Sequence, residues 1–121
     1  MKRVVIFLLI SIFLSLSFVS FAEPPTSSSV LTLFYSNSCP HCKDVLTFID
    51  ENNLNTKLSL VEKEISDKKN NDDLVAAVQD CKLKTSTIAL PLLFEAASHK
   101  CFIGENETMS RLKGVKDAKQ N

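Results

Sequence analysis

The sequence predicts an α/β domain: a four-stranded mixed sheet flanked by three helices, in the order β-α-β-α-β-β-α. Three observations carry this prediction. The nearly continuous apolar run Val30–Tyr35 leads through Cys39-Pro40-His41-Cys42 into a segment of helical spacing. The next 50 or so residues repeat the alternation between strand-like and helix-like patterns. The last two strand-like runs, Leu90–Glu95 and Cys101–Ile103, are separated by a short polar turn. A turn that short makes an antiparallel pair, whereas the first βαβ unit needs a parallel pair with a crossover helix, so the sheet must be mixed.

Taken in order, Val30 to Tyr35 is apolar enough to be a strand buried on both faces, and hence central. Ser38 is the expected N-cap of the first helix, and Pro40 suits its first turn, where a missing N–H costs nothing. That helix runs to Glu51, buries Val45, Leu46, Phe48 and Ile49, and stops at Asn52, Asn53 and Asn55. Lys57 to Ile65 alternates loosely through Leu58, Leu60 and Val61 and is the second strand. Ser66 to Asn71 is polar, a solvated connection with its Lys68-Lys69 pair beside Asp72-Asp73. Asp72 to Lys82 carries Leu74, Val75, Val78 and Cys81 at helical spacing, capped by Asn71. Leu90 to Glu95 is the third strand, opened by Pro91 at a position a strand tolerates. Ala96 to Lys100 turns the chain, with His99 a solvated turn residue rather than a ligand, and Cys101–Ile103 is the fourth strand, ending at Gly104. Glu105 to Lys113 forms a last helix through Met109 and Leu112, and residues 114–121 form a polar, frayed tail.

The N-terminus is a separate unit. Met1-Lys2-Arg3 is basic, Val4 to Phe21 is apolar apart from serines, and Ser20-Phe21-Ala22 sets small residues at a cleavage site. This is the three-part pattern of a secretory signal peptide over residues 1–22. Residues 4–22 are also long enough to anchor the chain in a membrane if left uncleaved. Glu23 to Ser29 is a Pro- and Ser-rich flexible leader, and residues 30–113 are the expected domain. Lys2 and Arg3 lie in the signal, so the remaining chain carries 12 basic against 14 acidic residues. Such a balance gives no pull toward nucleic acid or anionic lipid, and a monomer is expected. All four cysteines, 39, 42, 81 and 101, follow the signal. Export to the periplasm or beyond would place them where disulfides form and persist.

Cys39 and Cys42 at a strand-to-helix junction form the context in which C-x-x-C reads as a redox motif. At a helix N-terminus Cys39 lies near unpaired N–H groups and the positive end of the dipole, which favour the thiolate needed for disulfide exchange. Cys42, one turn in and buried, is the expected resolving thiol. His41 can add positive charge or a hydrogen bond, and Pro40 holds the turn rigid. Each pK unit by which the thiolate is favoured stabilises the reduced state by about 1.4 kcal/mol, roughly 30 mV toward a stronger oxidant. The competing reading makes Cys39 and Cys42 half of a zinc site completed by Cys81 and Cys101. Zinc ribbons use two close pairs, however, and the second pair here is widely spaced. Asn106-Glu107-Thr108 matches the N-glycosylation acceptor pattern, which has no consequence if the signal is bacterial.

Phe34-Tyr35-Ser36, Cys39-Pro40-His41-Cys42, Leu90-Pro91-Leu92-Leu93-Phe94 and Phe102-Ile103-Gly104 together resemble the glutaredoxin branch of the thioredoxin superfamily, from Val30 to Leu112. The resemblance implies a thioredoxin-like, glutaredoxin-type fold with Pro91 cis beside the cysteine pair. It also implies a substrate ledge made by Leu90 and Pro91, with Tyr35 and Gly104 as further substrate-binding positions. The departures are equally specific. Asn37 and Ser38 stand where glutathione-using members carry a basic residue, Ala89-Leu90 replaces Thr-Val, and Gly104-Glu105 replaces Gly-Gly. The resemblance therefore implies an exported thiol–disulfide oxidoreductase acting on protein dithiols, recharged by an unidentified redox partner. It implies no metal and no cofactor, with glutathione disfavoured. The Pro-His pair is similar to that of strongly oxidising periplasmic dithiol oxidases, whose inserted helical domain this chain is too short to hold. The alternatives are a glutathione-linked glutaredoxin and a non-catalytic, metal-binding domain of the same fold. In the inferred fold Cys81 and Cys101 both approach the motif end of the sheet, where a structural disulfide is expected. Two separate thiols and a redox relay to Cys39–Cys42 are the alternatives.

Overall fold

The computed structural model describes residues 30–120. The signal and leader assignments lie outside the described residues. Within them the chain is a mixed α/β structure whose four-stranded sheet has the order β2-β1-β3-β4. Its elements are β1 (Leu31–Tyr35), α1 (Pro40–Glu51), α2 (Leu54–Lys57), β2 (Leu60–Glu64), α3 (Lys68–Asp80), β3 (Leu92–Glu95), β4 (Lys100–Ile103) and α4 (Gly104–Gln120).

β1 is interior, parallel to β2 and antiparallel to β3, and β3 pairs antiparallel with β4. Its sequence explains that position. Leu31 and Leu33 point to one face and Phe34 to the other, and all three are essentially inaccessible. On the first face Leu31, Leu33 and Leu93 pack against Val45 and Ile49 of α1 and Leu112 of α4. On the second, Phe34 and Leu92 pack against Leu74, Ala77 and Val78 of α3. Each fully buried leucine contributes about 2–3 kcal/mol of apolar burial. Two aliphatic layers thus fix the sheet between α1 and α4 on one side and α3 on the other.

Several boundaries differ from the sequence expectation. Among the described residues there are four helices rather than three. Asn53 adopts a left-handed conformation (φ 51°) after α1, and Leu54, fully buried, anchors the one-turn α2. Four residues are too few to show periodicity, so β2 begins at Leu60 and not at Lys57. α3 starts at Lys68 and is capped by Asp67, not Asn71. The Asp67 carboxylate accepts from Asn70 N–H at 3.1 Å. Lys68–Asp72 and Lys69–Asp73 are i,i+4 ion pairs on its outer face, so the polar stretch read as a solvated connection is largely helix. β3 begins at Leu92, one residue after Pro91, and β4 begins at Lys100.

The polar tail is also corrected. α4 continues through Gly114 to Gln120. Val115 packs on the core, Lys116 Nζ donates to Asn52 Oδ1 at 2.8 Å, and Lys119 Nζ donates to the Lys57 carbonyl at 3.1 Å. Gly114 sits on the outer surface, where a side chain would meet nothing within 4 Å, so it interrupts the sequence pattern without interrupting the helix. Near the start of α4, Thr108 is fully buried and its hydroxyl donates to the Phe102 carbonyl. The acceptor-like triplet Asn106-Glu107-Thr108 is thus embedded in a helix.

Cys81 and Cys101 form a disulfide, with a Cα–Cα distance of 5.9 Å. Its position corrects the expectation that both cysteines lie at the motif end. β2 delivers the chain to that end, α3 runs back, and Cys81 is the C-cap of α3. Cys101 pairs with Phe94, which pairs with Thr32, so the bridge lies about 10 Å below the end of β1. His99 is an exposed turn residue, as expected, and its Nδ1 lies 2.8 Å from Asp80 Oδ2.

Candidate functional site

β1 ends at Tyr35, and the turn that follows is closed by Cys39 N–H donating to the Ser36 carbonyl at 3.1 Å, with the Ser36 and Ser38 hydroxyls 2.9 Å apart. This turn leaves Cys39, not Ser38, as the N-cap of α1. Cys39 has extended backbone angles (φ −91°, ψ 115°), and its Sγ accepts the Cys42 N–H at 3.3 Å. The sulfur therefore occupies the place a serine or aspartate oxygen usually takes at a helix start, facing the free N–H groups. Pro40 fills the first helical position.

Cys42 is completely buried, whereas Cys39 is half-buried; both are free thiols. Burial, and secondarily the hydrogen bond with Cys39, pushes the Cys42 thiol up to about 11. It stays protonated at neutral pH and is a poor initial attacker.

The Leu90–Pro91 peptide bond is cis. The Leu90 carbonyl lies 3.8 Å from Cys39 Sγ, and the Pro91 carbonyl accepts Gly104 N–H at 2.8 Å. Gly104 has φ +80°, a left-handed conformation that favours glycine, and from there α4 departs. Residues more than fifty positions apart in the chain thus meet at one edge: Cys39 and Cys42 from the start of α1, Leu90 and Pro91 from the approach to β3, and Gly104 at the start of α4.

Other expected site residues sit further out. Tyr35 is half-buried at the end of β1, where its backbone carbonyl accepts Ile65 N–H. Burial, with the nearby Glu62 and Glu64 charges, raises its phenol above the ordinary value. No hydrogen bond joins it to the cysteines among the described residues. His41 is exposed, and its Nδ1 lies 2.7 Å from Glu105 Oε2. Asp44, one turn further along α1, completes a group whose ligand atoms all lie within 4.8 Å of one another: His41, Asp44 and Glu105. These are donors that suit a divalent cation. In the sequence Glu105 stands out only as a departure from the Gly-Gly of glutathione-using members, and its position directly after Gly104 is the one sign there that it faces the motif.

The zinc site from four cysteines does not form. Cys81 and Cys101 are bonded to each other, on the part of the sheet away from Cys39. Clefts of about 470 Å³ along α4 and about 320 Å³ between β1 and α3 also lie away from the pair. Among the described residues no helix is long and apolar enough to cross a membrane. No protein-family model matches the chain, and no curated protein matches it.

Proposed function

We propose that this protein is an exported thiol–disulfide oxidoreductase of the glutaredoxin-like branch of the thioredoxin superfamily, exchanging disulfides with protein dithiols through Cys39 and Cys42. The observation that carries this reading is the position of Cys39 Sγ at the helix start, 3.3 Å from the Cys42 N–H and 3.8 Å from the Leu90 carbonyl. The attacking sulfur then has N–H groups to stabilise its negative charge and a backbone edge beside it against which a substrate segment can lie. The Cys81–Cys101 disulfide supports action in an oxidising compartment, as the leader pattern does.

In the oxidising direction a substrate thiolate attacks Cys39 Sγ of the Cys39–Cys42 disulfide. The bond to Cys42 breaks, and Cys42 leaves with the electron pair and takes up a proton, as its buried site favours. The second substrate thiol, on losing its proton, attacks the substrate sulfur in the mixed disulfide and expels Cys39. The substrate loses two electrons and two protons, and the enzyme pair is left reduced. Reduction of a substrate disulfide follows the same steps backward, with Cys39 attacking and Cys42 resolving. Pro40 sets the turn, Leu90 and Pro91 orient the substrate, and His41 bears on the charge at Cys39 only as far as its pairing with Glu105 leaves it free.

Cys42→Ser is expected to accumulate mixed disulfides through Cys39 with a scrambled protein substrate, visible by mass spectrometry, whereas Cys39→Ser traps none. Mixed disulfides that form only in Cys39→Ser would reverse the two roles. No exchange in the unaltered protein would overturn the reading. A second reading, a non-catalytic module that binds a divalent cation, draws on His41, Asp44 and Glu105. Stoichiometric zinc retained through gel filtration, without exchange, would favour it.

A further inference from the structure

The oxidising power expected of a Pro-His pair supposes that the imidazole is free to act on Cys39. Here the ring is committed elsewhere, its Nδ1 2.7 Å from Glu105 Oε2 across the gap between the first turns of α1 and α4. We propose that Glu105 is a positioning residue that mutes the effect of His41 on the Cys39–Cys42 equilibrium, holding the imidazole and cancelling its charge. The proposal rests on the exchange reading above.

Glu105 is placed for this by its neighbours. Gly104 N–H on the Pro91 carbonyl fixes the start of α4 beside the cysteine pair. In the same turn Glu107 is directed the other way, its carboxylate accepting Ile103 N–H at 2.9 Å. Glu105 is left facing α1 with its side chain one-third exposed, against two-thirds for His41.

A lone protonated imidazole acts on a nearby thiolate as a point charge. Paired with a carboxylate at hydrogen-bond distance it acts as a dipole, and its influence falls off faster with distance. The surrounding charges do not restore the field. Asp44 adds a second carboxylate within 4.8 Å of the pair, Glu64 accepts Asn37 N–H just before the motif, and Lys43 is the neighbouring cation on α1. When a dithiol reduces the Cys39–Cys42 disulfide, two electrons enter the pair and the sulfur–sulfur bond passes to the reductant. A proton goes to Cys42, and the second goes to Cys39 or to solvent. Net positive charge near Cys39 favours the reduced side, and Glu105 removes that charge.

The test is the equilibrium constant of the Cys39–Cys42 pair against a glutathione redox buffer at pH 6 and low salt, read from trapped thiols by mass. It is measured in the unaltered protein, Glu105→Gln, His41→Ala and the double variant, with melting curves recorded for all four. Glu105→Gln, which leaves the imidazolium unpaired, is expected to shift the constant about fivefold to tenfold toward the dithiol. The double variant, which lacks both charges, is expected to return to within about twofold of the unaltered protein, and Glu105→Asp is expected to stay there too. A Glu105→Gln constant indistinguishable from that of the unaltered protein, or a double variant that keeps the full shift, overturns the role of Glu105 while leaving the exchange reading intact. Failure of the unaltered protein to equilibrate with either the glutathione buffer or a small dithiol overturns the exchange reading itself.

Discussion

The molecule carries two cysteine pairs that differ in almost every physical respect. Cys39 and Cys42 are three residues apart, at the start of a helix, and both are free. One is half-buried with its sulfur among backbone N–H groups, and the other is fully buried with a thiol pushed up to about 11. Cys81 and Cys101, 20 residues apart in sequence, bind the end of α3 to edge strand β4 lower on the sheet. The first arrangement separates two thiols by environment, one among backbone N–H groups and the other held protonated in the core. The second shortens a long loop and fixes two elements against each other. Cysteine count and compartment would treat the pairs alike; their positions relative to helix ends set them apart.

The contrast can be broken most strongly at the second pair. Cys81→Ala with Cys101→Ala is expected to cost about 3 kcal/mol by loop-closure entropy. That corresponds to roughly 12–24 °C in melting temperature for a domain of this size. Exchange per folded molecule through Cys39 is expected to be unchanged, and a loss of exchange at a temperature where the variant is folded would instead make the bridge part of the redox path.

The first pair has its own stability signature. Burial raises the Cys42 thiol in the folded reduced protein, so the folded state favours the protonated form. The resulting stability is fully present below the unfolded thiol value near 9 and is lost as pH rises toward 11. Reduced protein is therefore expected to lose about 2–3 kcal/mol across that interval in urea titrations. The oxidised form has no Cys42 proton to lose, so parallel curves for the two forms would contradict the buried, protonated thiol.

The smallest effect concerns a carboxylate near the second pair. Burial alone would raise Glu95, but hydrogen bonds from Ser98 and Arg111 outweigh it and hold the carboxyl below its usual range. Its contribution is thus present above the unfolded value near 4.3 and lost as pH falls through the lower folded value. Glu95→Gln is expected to destabilise by about 1–2 kcal/mol at pH 7, limited by solvent access to Arg111, and by much less at pH 3. An equal loss at both pH values would assign the effect to shape rather than charge.

The sequence disclosed the parts of the fold that rest on apolar runs. Leu31, Leu33 and Phe34 announce an interior strand because no solvated strand tolerates them, and Val45 and Ile49 mark the buried side of α1. It concealed the elements held by contacts distant in the chain. α2 is one buried leucine in four residues, the first turn of α3 is polar throughout, and the end of α4 is helical because Val115 and Lys116 reach α1 and its cap. At the site, Cys39 and Cys42 were legible from spacing alone. The cap provided by the Cys39 sulfur itself and the Glu105 contact with His41 were not, since each depends on how a turn or a helix start is aimed in space.

The direction of β1 has a practical consequence. The chain enters the sheet at Leu31, on the level of Glu95 and Lys100, and rises through five residues to reach the motif. Whatever leash or support is attached before Val30 therefore joins the domain at the pole opposite Cys39, about 17 Å away along the strand. Any support coupled to the chain there would leave the Cys39 end of the sheet pointing away from it.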